Sequence, residues 1–129
     1  MLIFVYGTLR KGGGLNFKIE DDFEPIGTYS TTPTYSLYDM GVPCLSKGGT
    51  TSVLGEVYRI EDLGQIAHIH NLEVRAGYTL TKVDLIGMEE SAYAYLQTPE
   101  EPWREEVIRS GDWLKFRRER ELLSRGHKI

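Results

Sequence analysis

Two short stretches of this chain carry residue types that can do chemistry together. The first is Tyr6-Gly7-Thr8-Leu9-Arg10, where an apolar run stops at a glycine and passes into the loose Lys11-Gly12-Gly13-Gly14. A glycine turn at the end of a rigid strand can present backbone N–H groups. Such groups hold a carboxylate or a developing oxyanion without a metal. The second is Leu72-Glu73-Val74. A glutamate between apolar neighbours at the C-terminal end of a helix meets the negative end of the macrodipole and loses water, and both effects favour its protonated form. A carboxyl raised toward neutrality can take a proton and return it in the next step. The commoner state of such a residue is a solvated glutamate that ends a helix. Both readings of Glu73 stand at this point.

The side chains around these stretches also divide between two readings. Arg10 can hold a carboxylate or be a surface charge after the turn. Tyr6 can pack beside a ligand or hydrogen-bond to it. Tyr78 can line a pocket or be a half-buried strand tyrosine. His68 and His70 stand two apart on a helix and face different directions, so they do not make joint metal ligands; His70 reads as helix packing or surface. Cys44 has no basic neighbour in sequence and reads as a buried, inert thiol. The Gly12-Gly13-Gly14 run lacks the Lys-Ser/Thr ending of a phosphate loop. Between Lys115 and Ile129, six cations face two acids, a net +4 that reads as a solvated helix face.

These residues need elements to position them. Residues 2–6 form a strand with almost no polar face, which predicts burial on both sides. Residues 11–25 read as a loop with at most a turn of helix. Short extended pieces follow at 26–30, 35–38 and 42–45, the last because the residue before Pro43 avoids helix. Residues 53–60 are a strand in which Gly55 predicts a bulge or a close approach of another backbone. Residues 61–72 switch to helical spacing, with an apolar stripe of Leu63, Ile66, Ile69 and Leu72. Strands at 78–86 and 91–97 follow. A helix spans 112–125, with Asp112 as its N-cap and Gly126 as its stop. Five or six short strands with two helices predict an α+β fold, a small mixed β-barrel or strongly curled sheet with flanking helices.

Bulk composition narrows the function classes. A length of 129 residues predicts a single domain over 1–129. A net charge of −4 points neither to nucleic acid nor to an anionic membrane. One cysteine excludes an internal disulfide and a cysteine-built zinc site. No apolar run approaches the roughly 18 residues that span a bilayer. Leu2–Val5 is too short for a signal-peptide core, so a cytoplasmic location is expected.

The same residues resemble a known family. Tyr6-Gly7-Thr8-Leu9-Arg10 resembles the signature loop of the gamma-glutamyl cyclotransferase-like family, and Asn16 stands where that family often has asparagine. Gly55-Glu56-Val57-Tyr58, Leu72-Glu73 followed by Tyr78, Ala92-Tyr93 to Tyr95, and Ser110-Gly111-Asp112-Trp113 continue the likeness in order. The chain departs at Phe17, where the family has histidine, and at Val74, where it commonly has glycine. The resemblance, to the gamma-glutamylamine cyclotransferase type, implies a fold of that kind and release of 5-oxoproline from a small gamma-glutamyl compound. It implies Glu73 as general acid/base, and Tyr6, Gly7, Thr8, Leu9, Arg10, Asn16 and Tyr78 as the substrate-binding set. No metal, cofactor, nucleic acid or membrane partner is implied, and the chain is expected as a monomer or homodimer. A non-catalytic binding module of the same fold, and a hydrolase of gamma-glutamyl amides, are the rival readings.

Overall fold

The computed structural model describes residues 1–19 and 21–125. Its strands are β1 (Leu2–Val5), β2 (Glu24–Ser30), β3 (Tyr35–Asp39), β4 (Pro43–Lys47), β5 (Leu54–Arg59), β6 (Thr79–Val83), β7 (Ala92–Leu96) and β8 (Glu106–Val107). The helices are α1 (Ala67–Arg75) and α2 (Trp113–Ser124). All eight strands join one mixed sheet in the order β2-β5-β1-β7-β4-β3-β8, with β6 pairing β7 from outside that path. A bridge between Thr31 and Leu85 ties the end of β2 to the segment after β6. The sheet is thereby curled toward a half-barrel with two helices, the α+β arrangement expected.

β1 is the centre of this architecture. Leu2, Phe4 and Tyr6 pack into one apolar cluster with Leu37, Leu45, Val57 and Trp113. Ile3 and Val5 face the opposite way, into a second cluster with Ile19, Phe23, Tyr58 and Ile66. The near-absence of polar residues in the strand follows from these two buried faces. The close approach expected at Gly55 is present: a Cβ there would collide with the carbonyl oxygen of Val5. Asp112 caps α2 by accepting from the Lys115 N–H at 3.1 Å. Gly126 lies outside the described residues.

The sheet forks beside β1. On β7, Leu2 and Ile3 pair in parallel with Ala92 and Tyr93, whereas Leu45 of β4 pairs in parallel with Leu96. Past Tyr93 the chain of β1 therefore leaves its neighbour and β4 takes its place. The Tyr6 hydroxyl fills the fork, donating to the Tyr95 carbonyl at 2.5 Å and accepting from the Leu45 N–H at 3.4 Å. A fork at strand ends opens a crevice, as a topological switch point does in open α/β sheets.

Three expectations need correction. The described residues form eight strands where five or six were expected; β8, Glu106–Val107, pairs with Tyr38–Asp39 over too few residues to show a pattern. The helix expected over 61–72 begins as a 3₁₀ turn at Leu63–Ile66, capped by the Asp62 carboxylate, and continues as α1 to Arg75. Its apolar stripe meets the core only through Ile66 and Ile69. Ile66 is buried, but Leu63 and Leu72 are 39% and 44% exposed, and α1 itself contains no buried residue. The helix is attached by one end, and its apolar residues have another use.

Candidate active site

A cavity of about 290 Å³ opens at the fork. Its inner wall is Phe4, Val5, Tyr6, Tyr78 and Tyr95, all buried. The turn of Gly7, Thr8 and Leu9 forms one side and Leu72, Glu73 and Ala76 of the α1 region form another. Leu15, Val42 and Pro43 complete it. The two stretches that carried the chemistry in the sequence thus meet across one cavity, brought together by β1 on one side and α1 on the other.

The turn is fixed by its carbonyls and leaves its N–H groups unused. Arg10 N–H donates to the Gly7 carbonyl at 3.0 Å and Leu15 N–H to the Thr8 carbonyl at 2.9 Å. Asn16 Nδ2 donates to the Leu9 carbonyl at 2.9 Å. Among the described residues, the N–H groups of Gly7, Thr8 and Leu9 donate to no acceptor of the chain. Gly7 lies against Pro43, and a Cβ at this position would collide with Pro43 Cγ. Unpaired N–H groups at a strand end, beside an apolar wall, can hold an anionic oxygen.

Glu73 is the one charged residue among those lining the cavity. Burial pushes its carboxyl above the usual glutamate range. Its position is set by the helix end. Tyr78 N–H donates to the Glu73 carbonyl at 2.9 Å and Gly77 N–H to the Val74 carbonyl at 3.0 Å, the paired bonds of a Schellman motif. Gly77 makes this possible with φ +92°, a conformation side chains disfavour. The motif places Tyr78 on the cavity wall directly after Glu73, and the Tyr78 hydroxyl is anchored on the Pro43 carbonyl at 2.7 Å.

The tyrosines stay neutral. Burial, then the Tyr78 charge, raises Tyr6 well above its ordinary value. Burial, then Cys44 and Glu73, raises Tyr78. Burial, then Glu73, pushes Tyr95 up to about 12. These groups act as hydrogen-bonding walls, not as acids or bases near neutral pH. Cys44 is fully buried, its Sγ donates to the Gln97 carbonyl at 2.7 Å, and burial pushes its thiol to about 11, so it is inert.

Two residues of the sequence-predicted set lie outside the cavity wall. Arg10 is 8% exposed. Its Nε donates to Glu56 at 2.7 Å and its Nη1 to Asp112 at 3.0 Å, while Glu56 also accepts the Lys11 N–H at 2.7 Å. It is neither a surface charge nor a cavity side chain but a buried tie between the turn, β5 and the cap of α2. Asn16 likewise serves the turn from behind, through the Leu9 carbonyl. Sequence reasoning passed over Tyr95, Leu72 and Pro43, each of which borders the cavity, and His70, whose Nδ1 meets the Tyr95 hydroxyl at 2.9 Å. Only the tyrosine content of β7 hinted at Tyr95. In the described part of α2, Arg117 and Arg120 lie over the rings of Trp113 and Phe116, and Arg120 also pairs with Glu106. The basic run is therefore partly spent on its own helix and on β8. Among the described residues, no helix is long and apolar enough to cross a membrane.

Comparison with known proteins places this architecture. The family of gamma-glutamyl cyclotransferase, AIG2-like proteins matches residues 3–115. A protein of Vibrio cholerae, provisionally named a gamma-glutamylcyclotransferase, is 32% identical over 87% of this chain and 94% of its own. The gamma-glutamylcyclotransferase family protein YtfP of Escherichia coli K12 is 34% identical over 88% of this chain and 96% of its own. The crystal structure of an uncharacterised Pyrococcus horikoshii protein superposes with a TM-score of 0.72 at 29% identity, covering 94% of this chain and 96% of that one. The chain therefore belongs to the gamma-glutamyl cyclotransferase, AIG2-like family and is an enzyme of that type.

Proposed function

We propose that the enzyme converts a small gamma-glutamyl amide into 5-oxoproline and a free amine or amino acid, with Glu73 as its general acid/base. One observation carries this reading: an elevated carboxyl and a turn of unspent N–H groups share one largely apolar cavity.

The chemistry follows from the substrate's own atoms. A gamma-glutamyl group carries an α-amine and a γ-carbonyl, and folding it back brings the nitrogen onto the carbonyl carbon. Holding that fold supplies the intramolecular advantage. The Glu73 carboxylate takes a proton from the α-amine as the new C–N bond forms. The tetrahedral oxygen gains negative charge and is met by the N–H groups of Gly7, Thr8 and Leu9, each contributing on the order of 3 kcal/mol. Glu73 then returns the proton to the leaving nitrogen as the amide C–N bond breaks. No water is consumed, and the carboxyl ends as it began. Burial suits Glu73 to both halves of this exchange, because a raised carboxyl is a stronger base than a solvated one and remains a competent acid. Tyr6 and Tyr78, their hydroxyls already committed to backbone carbonyls, shape the wall against which the substrate folds. Arg10 and Asn16 act on the substrate only through the turn they hold.

A product assay tests the reading. The enzyme is incubated with gamma-glutamyl amines, gamma-glutamyl dipeptides and glutathione, and products are identified by mass spectrometry. Release of 5-oxoproline is expected. Free glutamate instead would assign hydrolysis. No turnover of any compound, with Glu73→Gln binding them as the parent does, would assign a binding module.

A further inference from the structure

Glu73 must be held to a fraction of an ångström to serve both proton transfers, yet its helix is poorly anchored. No residue of α1 is buried. Ile66 just before it is buried, and Ile69 is packed against the same cluster. The C-terminal turn, which carries Glu73, has Leu72, Val74, Arg75 and Ala76 exposed. Packing therefore fixes the start of the helix and leaves the catalytic end to other contacts.

Besides the backbone bonds from Gly77 and Tyr78, one side chain supplies them. Among the described residues, His70 makes the only side-chain hydrogen bond that leaves α1 for the sheet. Its Nδ1 lies 2.9 Å from the Tyr95 hydroxyl, and the two rings are tilted with centroids 5.8 Å apart. His70 stands three residues before Glu73, so the two share a helix face. Tyr95 in turn lines the cavity, and its backbone carbonyl receives the Tyr6 hydroxyl. The tyrosine is thus fixed at both ends, by Tyr6 through its main chain and by His70 through its ring.

We infer that His70 and Tyr95 form a clamp that positions Glu73. The hydrogen bond joins the helix to the forked strand β7, on the side of α1 that carries the carboxylate. His70 touches no reacting atom and is a positioning residue. Tyr95 both completes the wall and receives the clamp. Loss of the bond lets the last turn of α1 move relative to the Gly7–Leu9 turn, and misplacement on the scale of 1 Å costs about a hundredfold in rate. The inference rests on Glu73 performing the proton transfers proposed above.

Five variants test it: His70→Phe, which keeps a ring and removes the hydrogen bond; His70→Asn, whose side-chain amide can donate or accept near the position of Nδ1; Tyr95→Phe; and the His70→Phe/Tyr95→Phe and His70→Asn/Tyr95→Phe pairs. With 5-oxoproline release as the assay, His70→Phe and Tyr95→Phe are each expected to lower kcat by about ten- to a hundredfold, with KM changed by less than about threefold. The His70→Phe/Tyr95→Phe variant should be no worse than either single one, since one bond is removed once. His70→Asn should recover most of kcat in the Tyr95 background and none in the Tyr95→Phe background. Additive losses, no rescue by asparagine, or a His70→Phe kcat within twofold of the parent would overturn the clamp while leaving cyclisation intact. If the parent enzyme makes no 5-oxoproline at all, the cyclisation reading falls and the clamp remains to be tested by itself. The Glu73 carboxyl, followed by NMR titration in the parent and in His70→Phe, then reads the clamp without turnover: an unchanged titration overturns it.

Discussion

The Gly7–Leu9 turn and the α1 end around Glu73 form two sides of the cavity, and they are held in opposite ways. Behind the turn stand a buried arginine, two carboxylates from distant strands and helices, and an asparagine on its last carbonyl. Its carbonyls and the Arg10 side chain are engaged, and among the described residues the N–H groups of Gly7, Thr8 and Leu9 are left over. The α1 end is exposed on most sides, capped by a Schellman motif and tied to the sheet by one side-chain bond. The difference matches the two roles proposed for them. Oxyanion donors contribute most when they need no reorganisation during the reaction. A group that must change protonation state twice gains from a setting that tolerates both forms.

The comparison is broken most severely at Glu73 itself. Glu73→Gln should lower kcat by about 10²- to 10⁴-fold with the fold intact, measured by 5-oxoproline release. The same substitution has a stability signature. Burial raises this carboxyl in the folded state, so the native protein holds its proton more tightly than the unfolded chain. Stability then falls as pH rises from the unfolded value through the folded one. At neutral pH, Glu73→Gln should melt at the same temperature as the parent or slightly higher, and the gap should close below the ordinary glutamate pKa. In the parent, kcat/KM should fall on the acid side with a midpoint above the ordinary glutamate value, since the reaction starts from the carboxylate.

The turn should fail by another route. Arg10→Leu leaves Glu56 and Asp112 without their shared cation, in surroundings where the three side chains are 9%, 15% and 24% exposed. Removing one partner of such a group costs about 3–5 kcal/mol, read as a lower urea midpoint. Arg10→Lys should lose less, because it keeps the charge and loses the fork that reaches two carboxylates. Activity should fall with stability here. At Glu73 the two should separate, and that contrast is the sharpest form of the comparison.

The sequence disclosed these two regions unequally. The β1 strand and the Asp112 cap were legible because each shows in a few consecutive residues, and the Gly55 approach because a glycine inside a strand marks a close contact whichever backbone makes it. Glu73 was legible through its apolar neighbours and through family likeness. Arg10 was not, because its partners lie 46 and 102 residues away, and a charge after a turn reads as solvated until those partners are placed. Helical spacing at Leu63, Ile69 and Leu72 suggested a core face. Of these only Ile69 packs against the core, and Leu72 spends its apolar character on the cavity. The fork of β7 leaves no local mark at all, being a property of which strands meet.

A smaller perturbation tests how α1 is ended. Gly77 holds φ +92°, and a Cβ there would meet the Gln97 side chain at 2.8 Å from its Nε2. Gln97 is only half-buried and can yield, so the cost of Gly77→Ala comes chiefly from backbone conformation, about 1 kcal/mol. The substitution strains the bonds from Gly77 and Tyr78 to the carbonyls of Val74 and Glu73, and so acts where the helix hands over to the cavity wall. Amide hydrogen exchange should therefore quicken in residues 72–78 while β1 and its turn keep the parent's protection. Equal loosening on both sides of the cavity would mean that the turn and the helix move as one body, and that their unlike anchoring has no dynamic consequence.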